Sequence, residues 1–272
     1  MAHALILSSY VAATRIGGAA QQLVLAALGF EPVLVPTVLF GRSPAHGGRG
    51  QPVEAELFSR MLQDIEAAGV FETTALVITG HFSLPAQVAA AAEVIARVRA
   101  VSLAPIVVDP ILGDAPKGLY VKPEVARSVA GRLVPAADWI TPNLWELGYL
   151  TGAEPTDLAA ATAAARALGR PALITSAPAD PGEIGLACVE GEAAWLYAHA
   201  RREQVPNGTG DLVCAVFAAG LAQGLAPQAA AERAARAAAL AVEAARGAAD
   251  LPITSLALRW MRPDAEVRIE RL

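Results

Sequence analysis

Pro105-Ile106-Val107-Val108-Asp109-Pro110 carries the reading of the fold. A short, unbroken apolar run that ends on a polar residue suits a strand buried on both faces, as in a parallel sheet. The same phrase recurs along the chain. Ala4-Leu5-Ile6-Leu7 precedes Ser8-Ser9, Ala75-Leu76-Val77-Ile78 precedes Thr79-Gly80, Trp139-Ile140 precedes Thr141-Pro142, and Ala172-Leu173-Ile174 precedes Thr175-Ser176. Helical stretches separate these runs. Residues 85–99 start at a proline and pair Glu93 with Arg97 at i,i+4. Residues 54–68 end at Gly69, and residues 227–246 open at Pro227 and close at Gly247. In the last of these, Glu232, Arg233, Arg236, Glu243 and Arg246 fall in one stripe, which leaves an alanine-rich face for the protein interior. Residues 41–52, rich in Gly, Pro and Arg, read as a surface loop.

Strands alternating with helices of this length indicate βαβ units. The expected fold is α/β: one domain over residues 1–272, with a mostly parallel, doubly wound sheet and helices on both faces. In such sheets ligands sit beyond the carboxyl ends of the strands. Five candidate strands here end in hydroxyls or a carboxylate, which points to a polar ligand site along one sheet edge. Each residue alone is equally explained as a cap of the next helix or turn.

Composition narrows the function. The 272 residues are 54% hydrophobic and 17% charged, ample for a buried core, and the net charge of −5 argues against nucleic acid or an anionic membrane as partner. No apolar run is long enough for a membrane span. Cys188 and Cys214 are too few for a disulfide framework or a four-cysteine zinc site and fit a reducing compartment. Met1-Ala2-His3-Ala4 has no basic leader, so a cytoplasmic protein is expected.

Asn207-Gly208-Thr209-Gly210-Asp211 feeds the apolar segment 212–220. Glycines let successive N–H groups point outward together, and a helix N-terminus adds partial positive charge. The combination suits phosphate. Asp211 would repel a resting phosphate, but it has a purpose if it takes a proton from a hydroxyl attacking that phosphate. The plainer alternative is a first-turn acid favouring the helix dipole. There is no Walker-type G-x-x-x-x-G-K-[ST], G-x-S-x-G elbow or H-E-x-x-H helix, and Val213 stands where a dinucleotide fingerprint needs its third glycine.

Two further segments can serve phosphate chemistry. Asn143 and Glu146 stand three apart in the first turn of a helix opened by Pro142. With Asp109 they could order a hydrated Mg²⁺; equally, Glu146 could be an ordinary N-terminal acid. Residues 113–121 hold Lys117 in a glycine-bearing loop that either covers a site or is plain surface.

Taken together these residues resemble the ribokinase superfamily, and within it the pyridoxal kinases. Gly208-Thr209-Gly210-Asp211 is similar to the family's G-x-G-D, Asn143 to Glu146 to its N-x-x-E, and Asp109 to Asp114 to its D-P-V-M-G-D. The resemblance implies a three-layer α/β/α ribokinase-like fold and ATP-dependent phosphorylation of the 5′-hydroxymethyl of pyridoxal. It makes Asp211 the catalytic base and Gly208, Thr209 and Gly210 the anion hole. It implies substrate contacts from Ser9, Thr37, His81 and Asp211, and nucleotide contacts from Asp109, Asn143, Glu146, Thr175, Ser176, Lys117 and Thr209. Asp109 and Glu146 become the Mg²⁺ residues, 113–121 becomes a flap, and the assembly becomes a homodimer. A need for a monovalent cation such as K⁺ stays open. Tyr10 and His81 replace the family's histidine and tyrosine on the vitamer side. A hydroxymethylpyrimidine kinase, a dinucleotide oxidoreductase and a non-catalytic vitamer-binding protein are the alternatives.

Overall fold

A computed structural model describes residues 2–272. The strands are β1 (His3–Val11), β2 (Glu31–Phe40), β3 (Gly50–Pro52), β4 (Thr74–Thr79), β5 (Ile106–Val108), β6 (Gly113–Asp114), β7 (Gly118–Leu119), β8 (Trp139–Ile140), β9 (Ala172–Ala177), β10 (Glu183–Glu190), β11 (Ala193–Ala200) and β12 (Arg268–Arg271). The helices are α1 (Gly18–Ala27), α2 (Ala55–Ala67), α3 (Val70–Thr73), α4 (Pro85–Val101), α5 (Pro123–Ser128), α6 (Leu144–Thr151), α7 (Leu158–Ala167), α8 (Thr209–Ala222) and α9 (Pro227–Ala244). Ten strands form one sheet in the order β12-β11-β10-β9-β8-β5-β4-β1-β2-β3, and β6 and β7 form a separate two-stranded ribbon. The run from β9 to β2 is parallel, while β10, β11 and β12 at one edge and β3 at the other are antiparallel.

Alternation along the central strands builds two cores. Leu5, Leu7, Val77, Ile106 and Val108 face α2 to α7, whereas Ala4, Ile6, Leu76, Ile78 and Val107 face α1, α8 and α9. Both sides of these strands are buried, so their sequences are apolar without a break. Helix α8 is buried at every residue from Leu212 to Gly220. Its seam with α9 is built from small residues; a Cβ on Gly220 would stand 2.7 Å from Ala230 Cβ.

The structure corrects several expectations. β1 continues four residues past its apolar run, so Ser8 and Ser9 lie within the strand rather than after it. β2 carries Pro32 and Pro36, which hide it as a strand; β3 pairs only with Val38, Leu39 and Phe40, so both prolines fall where the outer side of β2 lacks a partner. Residues 41–52 are not wholly loop, because they contain a 3₁₀ turn (Pro44–His46) and β3. Arg233 leaves the solvated stripe: it is 9% exposed and donates to Gln223 Oε1 (2.8 Å) and the Val216 carbonyl (3.2 Å). Its long stem reaches along the small-residue seam until the guanidinium finds acceptors. Both cysteines are buried and free.

Candidate active site

The site lies at the carboxyl ends of β1, β4, β5, β8 and β9, where the N-terminus of α8 meets the sheet. Gly208 caps α8 with φ +105°, a conformation that favours glycine. A Cβ there would also stand 2.8 Å from the Arg15 carbonyl, so the turn is pressed against the loop after β1. The first helical hydrogen bond runs from Leu212 N–H to the Gly208 carbonyl (3.0 Å). The N–H groups of Thr209, Gly210 and Asp211 therefore have no helical acceptor behind them.

Asp211 holds a defined orientation. Its Oδ2 accepts from Gly17 N–H at 2.7 Å, and its Oδ1 is buried without a partner. Burial pushes its pKa up to about 6 against the opposing pull of the Gly17 N–H. The acid is thus mainly ionised at neutral pH and readily protonated just below it. In the sequence Gly17-Gly18 stands where the resembled family has a glycine-asparagine, with no role for the Gly17 N–H. The Gly17 φ of +60° and a hypothetical Cβ 2.2 Å from Ser9 Oγ explain why a glycine stands there.

Asp109 follows β5 and is buried; burial first, then the charges of Glu146 and Asp211, hold its carboxyl well above the usual range. Thr141 lies beside it and opposes that rise, although its hydroxyl does not reach full hydrogen-bond geometry. Helix α6 starts at Leu144, two residues later than expected. Asn143, not Pro142, is its N-cap, and Asn143 and Glu146 form a reciprocal capping box: Glu146 N–H donates to Asn143 Oδ1 (2.8 Å) and Asn143 N–H to Glu146 Oε2 (2.9 Å). Glu146 Oε1 also accepts from Leu112 N–H at 2.7 Å, and Asn143 Nδ2 donates to the Gly113 carbonyl at 2.8 Å. The pair thereby clamps the base of the β6–β7 ribbon. Burial raises the Glu146 pKa to about 7, and these N–H donors oppose the rise.

Hard oxygen donors and clustered negative charge suit a divalent cation such as Mg²⁺. Among the described residues no three His, Cys, Asp or Glu side chains stand close enough to hold one unaided. Both Glu146 oxygens are already engaged by backbone N–H groups, so this side chain is no free direct ligand.

Beside the glycine turn lies a cavity of about 360 Å³ lined by Thr175, Ser176, Gly208, Thr209 and Gly210. It adjoins a cleft of about 890 Å³ with which it shares Asp114, Ser176, Ile184 and Arg201. Thr175 N–H donates to the Pro142 carbonyl (2.8 Å), and Thr175 bridges to Asn143. Ser176 takes a positive φ of 54°. Lys117 is exposed in the ribbon turn and lines neither cavity. Arg201, which lines both, was not anticipated as a site residue.

On the opposite side, Thr37 is fully buried and its Oγ1 donates to the His81 carbonyl at 2.6 Å. His81 follows Gly80, where a Cβ would stand 2.4 Å from Ser8 Oγ and 3.2 Å from Ile111 Cδ1. Burial lowers the His81 pKa to about 4, so the ring is neutral, and its Nδ1 is buried without a partner. Ser9 is 8% exposed in β1, three residues before the bend at 12–15 that brings Gly17 back to Tyr10.

A mostly parallel sheet, a glycine turn opening a buried helix, an acid in that helix's first turn and a clamped ribbon over the strand ends define a ribokinase-like small-molecule kinase architecture. Residues 27–252 match the family model described as phosphomethylpyrimidine kinase. A pyridoxine/pyridoxal/pyridoxamine kinase of Bordetella avium is 37% identical over 209 residues, covering 72% of this chain and 70% of its own length. A pyridoxal kinase of Deinococcus radiodurans is 36% identical over 228 residues, covering 78% of this chain and 76% of its own. The pyridoxal kinase of Leishmania donovani, solved with ADP and pyridoxamine, superposes with a TM-score of 0.92 at 25% identity, covering 100% of both chains. The chain belongs to the phosphomethylpyrimidine kinase family, on its pyridoxal kinase branch.

Proposed function

We propose that this protein is an ATP-dependent kinase that phosphorylates the 5′-hydroxymethyl group of pyridoxal and its vitamers, in one catalytic domain over the whole chain. The observation that carries the reading is Asp211: one oxygen is fixed by Gly17 N–H, and the other is buried and unpartnered at the helix N-terminus whose glycine turn lines the cavity of about 360 Å³. That geometry suits a base waiting for a hydroxyl. As the substrate oxygen attacks the γ-phosphorus, its proton passes to Asp211 Oδ1, and the bond to ADP breaks. The N–H groups of Thr209, Gly210 and Asp211 stabilise charge on the transferring phosphoryl.

Asn143, Thr175, Ser176 and Arg201 flank the nucleotide. Mg²⁺, held by Asp109 and through water at Glu146, would neutralise phosphate charge in the transition state. Ser9, Thr37 and neutral His81 hold the ring. The ribbon anchored by Asn143 and Glu146 closes over the phosphates and brings Lys117 to them, which limits hydrolysis by water. The family resemblance supports a homodimer acting in the cytoplasm. Among the described residues no helix is long and apolar enough to cross a membrane.

The family model's description favours a second reading, phosphorylation of hydroxymethylpyrimidine. Coupled ADP release over pyridoxal, pyridoxine, pyridoxamine and hydroxymethylpyrimidine separates the two, and omission of Mg²⁺ or K⁺ in the same assay reads the cation need. Turnover with the pyridine substrates supports the main reading. Turnover confined to the pyrimidine overturns it.

A further inference from the structure

Gln87 sits in the first turn of α4 and is fully buried, yet all of its polar capacity is used. Its Nε2 donates to the Thr37 carbonyl (2.7 Å) and to the Val53 carbonyl (2.7 Å). Its Oε1 accepts from Ser83 N–H (3.1 Å) and Leu84 N–H (3.2 Å). One amide therefore ties together the end of β2, the chain just after β3 and the loop from β4 to α4. Two of those segments carry the acceptor-side residues Thr37 and His81. The Thr37 hydroxyl, donating to the His81 carbonyl, closes a ring of contacts running from Thr37 through His81 and Ser83 to Gln87 and back to Thr37.

None of these contacts reaches the glycine turn, Asp109 or the capping box of α6. The network is thus confined to the acceptor half of the site. A fully satisfied buried polar network fixes one geometry, and a partly satisfied one loses it. We propose that Gln87 is a positioning residue for the acceptor: it sets the spacing between Thr37 and His81, and hence the seat of the pyridine ring, without touching the substrate. The proposal rests on the kinase reading, because only that reading gives Thr37 and His81 a common ligand.

The test uses two variants of the full chain. Gln87→Met keeps the length and removes all four contacts. Gln87→Glu keeps an acceptor for Ser83 and Leu84 and removes the donor to Thr37 and Val53. Steady-state kinetics are measured against pyridoxal at saturating ATP–Mg²⁺ and against ATP at saturating pyridoxal, with circular dichroism checking the fold. The expected result is a KM for pyridoxal raised roughly tenfold in each folded variant, as for loss of buried hydrogen bonds, with the KM for ATP unchanged. If Gln87→Met does not fold, Gln87→Glu carries the comparison. Unchanged KM values, an equal rise for both substrates, or failure of both variants to fold would make Gln87 a residue of general stability and overturn the proposal. Wild-type protein inactive on every vitamer would instead overturn the kinase reading, so the two failures are distinguishable.

Discussion

Replacing Asp211 with Asn should make the protein more stable and nearly inactive at once. The asparagine carbonyl can keep the contact from Gly17 N–H, now 2.7 Å to Oδ2. Its NH₂ group then occupies the place of the unpartnered Oδ1, where it cannot accept a proton. Loss of a general base typically lowers turnover by roughly 10²–10⁴. Stability should move the other way. The rise of the carboxyl from 3.8 to about 6 means that the fold disfavours the charged form by about 2–3 kcal/mol. For an acid with a raised folded pKa, that cost is complete above about pH 6, shrinks as pH falls, and is gone below about pH 4. Asp211→Asn should therefore gain about 2–3 kcal/mol at neutral pH and about nothing near pH 4. Wild-type turnover should itself decline as pH drops through 6, where the base becomes protonated. The assays are coupled ADP release and urea unfolding at the two pH values. Near-normal turnover of the folded variant would remove Asp211 as the base, and a stability gain independent of pH would refute the burial argument.

Three other perturbations test the supporting structure. Gly208→Ala forces a side chain into φ +105° and to 2.8 Å from the Arg15 carbonyl; urea unfolding should show a loss of about 1–3 kcal/mol, with turnover falling as the loop bearing Gly17 shifts. Glu146→Gln turns an NH₂ toward N–H groups among the three, from Leu112, Gly113 and Asn143, that the carboxylate now accepts. The expected outcome is a higher KM for ATP and faster limited proteolysis within residues 113–121. Trp260 is fully buried and its Nε1 donates to the Ile253 carbonyl (3.2 Å), so Trp260→Ala should cost about 3–5 kcal/mol in urea unfolding.

The parallel heart of the sheet was legible because strands covered on both faces must be apolar throughout, and each ends where polar atoms reach the site. β4, β5, β8 and β9 announce themselves this way. β2 did not, because Pro32 and Pro36 interrupt its pattern and only its weakly covered edge makes them tolerable. β10 and β11 were missed because Gly185 and Ala187 break up the pattern around Ile184 and Val189 in β10, and β11 is alanine-rich with no β-branched residue. At the site, Asp211 and its glycine turn stand together in sequence, so local spacing was enough. Gly17 lies 194 residues from Asp211 and contributes only an N–H, which no side-chain pattern can reveal. Gln87 was equally invisible, since a lone glutamine in a helical stretch reads as a surface residue until its four backbone partners are brought around it. Glu146 shows a third limit: its spacing from Asn143 pointed to an acid near metal, and the structure adds a clamp on the ribbon that the spacing alone did not distinguish.

The most direct test of the central claim is the identity of the product. Purified protein is incubated with pyridoxal and ATP–Mg²⁺, and the mixture is followed by ³¹P NMR and mass spectrometry. The account predicts a new phosphate monoester whose phosphorus couples to the methylene protons of the former hydroxymethyl group, formed together with ADP and absent with Asp211→Asn. Release of ADP with free inorganic phosphate and unchanged pyridoxal would contradict it.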